Sequence, residues 1–248
     1  QELMIGWASF YSARIMRNLG ETGWAVMYAK SGVDLFEKVG YDVEPTVYTW
    51  LSELLYDIRE YKESFANARK ALASWAKIKK EEDENKNKDK DKDKLLMHYH
   101  VRACNMRALN HFTLRQFDSA HFFLDSALQV ARHIQDTAWT SKVMVNIGRV
   151  LYHTSQPDSA LGLFERAYKY SLSARQYDNA AHAAEWAAKA LLAKGNTSTA
   201  LSKARNALYL LSLVPNRPFL RDSYSTLSAV LRQAKIYDSA FYYNDRFM

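Results

Sequence analysis

The chain has 248 residues, of which 48% are apolar, with only 8 Gly and 4 Pro. Few turn formers and many apolar residues exclude a turn-rich sheet protein and favour long helices over a substantial interior. The formal charge of +7 is modest, and its Lys and Arg residues are spread along the chain, which argues against a dedicated nucleic-acid binder.

From the amino end, Gln1 to Phe10 lack a positive segment followed by an apolar one, so no signal peptide is expected in this chain. No stretch approaches 18 apolar residues without a charge, so no membrane span is expected. The first predicted helix pair carries Ser9, Ala13 and Met16, then Ala25, Ala29 and Gly32. The second carries Tyr48, Leu51, Ser52 and Leu55, then Ser64, Ala68 and Ala71.

Residues 79–94 read KKEEDENKNKDKDKDK, seven lysines against seven acidic residues and nothing apolar. Burial cannot offset the entropy of ordering such a segment, and the expectation is a disordered or extended insertion, or a frayed helical extension. Its balanced charge argues against a nucleic-acid tail.

Beyond the insertion one phrase recurs: Phe117-Asp118-Ser119-Ala120, Pro157-Asp158-Ser159-Ala160 and Tyr237-Asp238-Ser239-Ala240, with the degenerate Ser198-Thr199-Ala200 between the last two. The alanines at 120, 160, 200 and 240 stand 40 residues apart. Each is expected to open a helix, with Asp118 and Asp158 capping free N–H groups. Leu124 and Ala127, Phe164 and Ala167, and Ala204 and Ala207 follow at offsets that share one helical face. Each marker is preceded by a second periodic segment: Cys104, Arg107, Ala108 and His111; Met144, Ile147, Gly148 and Leu151; Ala184, Ala187, Ala188 and Leu191; Tyr224, Leu227, Ser228 and Leu231.

This arrangement resembles the tetratricopeptide repeat family, Ile147-Gly148 matching its Leu-Gly pair. The repeat is about 40 residues, as in the arrays of bacterial peptide-responsive regulators, scaffold proteins and sensor kinases. The resemblance implies an all-α fold, a right-handed superhelix (α-solenoid) of about six antiparallel helix pairs, with residues 1–248 as one array. Stacking buries the apolar face that no single pair can bury alone. In the family the first helix of each pair lines the concave surface. Carried over by position, the candidate groove contacts are Arg102, Asn105, Phe112, Lys142, Arg149, Tyr152, His182, Glu185, Lys189 and Arg232. The long N–H donors among them suit a peptide backbone, a free carboxylate or an acidic segment, against the plainer alternative of a solvated polar face. Asn105 falls where family members hold a bound main chain, and Asn146 lies one residue past such a position. The complete Lys, Asn and Lys/Arg clamp of the co-chaperone type is missing in the correct register.

Catalytic and metal signatures are absent. There is no HExxH, no phosphate-binding loop, no Gly-x-Ser-x-Gly, and the seven histidines form no local ligand set. The single cysteine, Cys104, falls at a small-residue position and is expected to be a buried packing residue. Trp24, Trp50, Trp75, Trp139 and Trp186 are expected to pack, with Trp7 set apart because an end repeat exposes one stacking face unless a cap or a partner covers it. No cofactor is expected and no enzyme activity. The first expectation is a protein- or peptide-binding module, part of a larger regulator whose flanking regions lie outside Gln1–Met248. A self-assembling structural protein acting through its end faces is the second, and a weak nucleic-acid binder the third. The compartment, cytoplasmic or periplasmic, and the oligomeric state are left open.

Overall fold

The computed structural model describes residues 1–84, 90–214 and 220–247. The described residues form twelve helices in six antiparallel pairs: α1 (Glu2–Asn18) with α2 (Thr22–Lys38), α3 (Pro45–Asp57) with α4 (Tyr61–Glu84), α5 (Lys90–Thr113) with α6 (Phe117–His133), α7 (Thr137–His153) with α8 (Pro157–Ser173), α9 (Tyr177–Ala193) with α10 (Thr197–Ser212), and α11 (Leu220–Gln233) with α12 (Tyr237–Phe247). Among the described residues no helix is long and apolar enough to cross a membrane. The chain divides into two compact units, Gln1–Val130 and Ala131–Met248.

A common turn sets the helix spacing. Arg115, Gln135, Ser155, Arg175 and Gly195 fall at twenty-residue intervals and all adopt left-handed φ, between 55° and 77°. Each sits at the end of a helix. At the first of them, the Arg115 N–H donates to the Phe112 carbonyl at 3.0 Å and the Gln116 N–H to the His111 carbonyl at 2.9 Å. These paired bonds satisfy carbonyls that the helix end would otherwise orphan. The next helix starts at once, the Ala120 N–H donating to the Gln116 carbonyl at 3.0 Å. The turn recurs at Gly20, Gly40, Arg59 and Lys235, so it serves both within pairs and between them.

The marker residues open helices as expected, but their aspartates do not cap them. The α8 N-cap is Gln156, and Asp118 and Asp158 lie inside first turns. There their charge favours the positive helix end without closing a capping bond. Side-chain caps come from Asp136, which accepts from the Trp139 N–H at 3.0 Å, and Asn196, which accepts from the Thr199 N–H at 3.3 Å.

Small residues let paired helices touch. Ala120, Ala160, Ala200, Ala127, Ala167 and Ala207 are fully buried. Gly148 of α7 faces Phe164 of α8, and a Cβ on Gly148 would stand 2.5 Å from that ring. At the matching place in α9, Ala188 is accommodated because its pair carries Ala204 where α8 has Phe164. A serine fits there when its hydroxyl finds the facing backbone. Ser52 donates to the Ser64 carbonyl and Ser228 to the Ala240 carbonyl, both at 2.8 Å.

Over its described residues the insertion follows the helical-extension alternative. α4 runs on to Glu84 and α5 begins at Lys90, each 24 residues long against 17 for most others. Lys79 pairs with Asp93 at 3.0 Å and Lys92 with Glu82 at 3.5 Å, so charge pairing joins strands of helix that burial cannot. Residues 85–89 lie outside the described residues. Two tryptophan expectations are reversed. Trp7 packs on Phe36 at 4.9 Å between ring centroids and borders the first core, whereas Trp24 is 53% exposed.

Two substitutions test this account. Arg175→Gly should stabilise the protein by about 0.5–1 kcal/mol, because only glycine takes the left-handed conformation without a Cβ penalty. Gly148→Ala should destabilise it by about 1–3 kcal/mol through overpacking against Phe164. Urea unfolding followed by circular dichroism reads both.

Candidate functional site

The first helices of the second unit, α7, α9 and α11, pack side by side, α9 contacting both others. Equal spacing makes residues forty apart equivalent on adjacent first helices. Lys142, His182 and Asp222 therefore form one rung set, and Arg149 and Lys189 another.

Trp186 organises this face. The Lys189 ammonium lies 4.2 Å from the centre of its ring and the Arg149 guanidinium 5.2 Å. Both distances suit attraction between a cation and the negative ring face. Tyr152 meets the ring edge-on at 5.9 Å, and Phe164 lies 6.0 Å away. The Trp186 Nε1–H donates to His182 Nε2 at 3.0 Å. That nitrogen accepts and carries no proton, so the imidazole is neutral with its hydrogen on Nδ1. Arg149 also donates to the Asn146 side-chain oxygen at 3.0 Å, and Lys142 stands 4.6 Å above Trp139.

The electrostatics agree with a neutral ring. Burial pushes the His182 pKa well below the ordinary value, and Arg149, Lys189 and Lys142 push it the same way. Glu185 behaves oppositely. It is 1% exposed, and burial raises its pKa although Lys189, bonded at 2.6 Å, pulls it down. Its Oε1 also accepts from Thr226 of α11 at 3.3 Å, and Asp222 adds to the upward shift.

The sequence candidates thus separate into groups. Lys142, Arg149, Tyr152, His182 and Lys189 lie together around Trp186 and Trp139. Glu185 is not presented to a groove, being a buried anchor between α9 and α11. Arg232 is exposed on the last turn of α11. Arg102, Asn105 and Phe112 belong to the first unit, where Asn105 is 3% exposed and Phe112 packs on Phe117 at 5.7 Å. Arg102 is engaged by Glu53 at 3.1 Å, and Glu53 also holds Arg17, which reaches Asp57 at 3.1 Å. Sequence reasoning read Trp186 only as packing, and placed Glu53 on the first-helix face without its pairing to Arg17 and Arg102.

Cys104 is buried, as expected, with its sulfur 3.4 Å from His100 Nε2. Burial pushes the thiol up to about 12 and pushes His100 down, so the thiolate needed for nucleophilic attack does not form at neutral pH. Among the described residues no three His, Cys, Asp or Glu side chains group as metal ligands would.

Comparison with known proteins places the fold. A scan against protein-family models finds no match, and neither does a search of curated proteins. Among solved structures, the chain is similar to a Rap protein complexed with competence and sporulation factor, at 16% identity and TM-score 0.69, covering 100% of this chain and 75% of that one. It is similar to aspartyl phosphate phosphatase F from Bacillus subtilis, at 14% identity and TM-score 0.66, covering 99% and 70%. It also matches a signal-transduction ATPase with a tetratricopeptide repeat sensor from Pyrococcus horikoshii, at 16% identity and TM-score 0.63, covering 100% of this chain and 37% of that one.

The depressed His182 pKa makes stability depend on pH. Below about pH 6.5 the unfolded chain takes up a proton that the folded site refuses, so stability is full above that value and lost as pH falls. Urea unfolding between pH 7.5 and 5.5 should show the loss, and His182→Gln should reduce its slope.

Proposed function

The chain has a tetratricopeptide-type helical-repeat fold, and we propose that it is a protein- or peptide-binding module rather than an enzyme. Its ligand carries acidic side chains or a free carboxylate and lies across α7 and α9. The observation that carries this reading is the gathering of Lys142, Arg149 and Lys189 around Trp186 and His182. In the first unit, Arg17 and Arg102 are answered by Glu53 and Asp57. On α7 and α9, buried Glu185 pairs with Lys189, while Arg149 and Lys142 lie against Trp186 and Trp139. Positive charge held against aromatic surface suits recognition of a carboxylate, with Tyr152 and Trp186 adding rigid contact area.

A sensory or scaffolding part of a larger regulator fits this binding role, as in the repeat sensor of the similar signal-transduction ATPase. The phosphatase name borne by another similar structure is no guide to activity here, since 14% identity carries the fold alone. The non-catalytic reading is supported by the inert Cys104 thiol and by the neutral His182 ring, whose Nε2 is occupied by an indole N–H.

A second reading, self-assembly through end faces, is favoured by exposed apolar side chains at both ends: Met4, Tyr11, Ile15 and Leu19 on and just after α1, and Phe241 and Tyr242 on α12.

Fluorescence anisotropy with labelled acidic and basic peptides of equal length tests the first reading. The acidic peptide should bind, and a Lys142→Glu, Arg149→Glu, Lys189→Glu triple variant should lose at least tenfold in affinity. Equal binding by both proteins would move the site elsewhere. Concentration-dependent sedimentation without peptide binding would favour self-assembly.

A further inference from the structure

The imidazole of His182 is partly buried beside the cations that define the proposed binding face, and it is joined to them through one ring. Its Nε2 accepts the Trp186 indole N–H at 3.0 Å. The same indole carries Lys189 at 4.2 Å and Arg149 at 5.2 Å from its centre. Lys142 occupies the equivalent position one first helix earlier, and Asp222 the equivalent position one later. The charges acting on His182 include Arg149 and Lys142 from α7 and Lys189 from its own helix. From α11, Asp222 acts on Glu185, which is tied to Lys189. The imidazole thus feels the charge of this face from two helices.

We propose that binding of an acidic ligand across α7 and α9 is coupled to uptake of one proton by His182. The ligand is therefore held more tightly as pH falls below neutral. The proposal rests on the acidic-ligand reading above.

The cations make a fourth positive charge costly beside Trp186. A ligand carboxylate laid against Lys142, Arg149 and Lys189 opposes their field and removes much of that cost. The proton comes from solvent and binds Nε2, and the indole N–H gives up that acceptor and becomes a further donor on the same face. Linkage is reciprocal, so if the ligand favours the protonated ring, protonation favours the ligand by the same factor. The affinity should rise by up to about tenfold per pH unit, the limit for one proton, between the pKa of the free and the occupied site.

The probe is N-acetyl tetraglutamate amide, whose carboxylates stay ionised near pH 6.5, so any proton taken up belongs to the protein. Titration calorimetry at pH 6.5 in buffers of different ionisation enthalpy counts the protons. Histidine NMR of the unmodified protein, with and without probe, follows the imidazole whose titration is most depressed. The expected result is net proton uptake on binding and an upward move of that imidazole's titration. His182→Gln, which keeps an acceptor for the indole N–H, should show an affinity that no longer rises as pH falls and should take up no proton on binding, whatever its affinity at pH 7.5. Binding without uptake, or uptake undiminished in His182→Gln, would overturn the coupling and leave the acidic-ligand reading standing. No binding of the probe at low salt would overturn both.

Discussion

A backbone turn repeated every twenty residues governs this protein. A left-handed residue ends one helix, and the following residue both satisfies that helix's last carbonyl and starts the next. With 17-residue helices, each about 25 Å long, the chain reverses at nearly constant intervals. Most of these residues are not glycine. Arg115, Gln135, Ser155, Arg175 and Lys235 accept a backbone conformation that costs a side chain of order 1 kcal/mol. The hydrogen bonds at each helix end and the packing of the pairs hold them there.

Equal intervals convert sequence spacing into geometry. Positions forty apart fall at the same height on neighbouring first helices, so charge on one helix is set beside charge on the next. Along α7, α9 and α11 the rung runs from cationic Lys142 through neutral His182 to anionic Asp222. Arg149 and Lys189 form the parallel rung, and Trp186 lies between the two. In the first unit the same kind of face is closed by internal pairing, because Glu53 reaches both Arg17 and Arg102. Both units set cations on aromatic rings and pair some of them with carboxylates, Arg17 with Glu53 in the first and Lys189 with Glu185 in the second.

The period of the fold was legible because alanines at 120, 160, 200 and 240 must be small to let helices approach. The helix pairs were legible for the same reason. The turn was hidden, since glycine is its usual signature and only Gly20, Gly40 and Gly195 supply it. The caps were misjudged because Asp118 and Asp158 lie two residues past the true N-cap position. The register carried over from the family resemblance put Lys142, Arg149, His182 and Lys189 on one first-helix face. It could not show that Arg102 is neutralised, because Glu53 lies on a different helix 49 residues earlier. Nor could it separate Glu185 from its neighbours. One residue's rotation about the helix turns a groove position into a buried one, and only packing decides which way the side chain faces.

The charged arm between α4 and α5 has one more consequence. Each of the two helices is longer than the 17-residue standard by seven residues, close to two full turns. Added in whole turns and in equal measure, the extra length returns both helices to the azimuth and height at which the ordinary repeat begins. The ordinary stacking portions of α4 and α5 can therefore stay in phase with the rest of the repeat despite the added length. Insertions of two or five residues in one helix alone would rotate its apolar stripe out of the core.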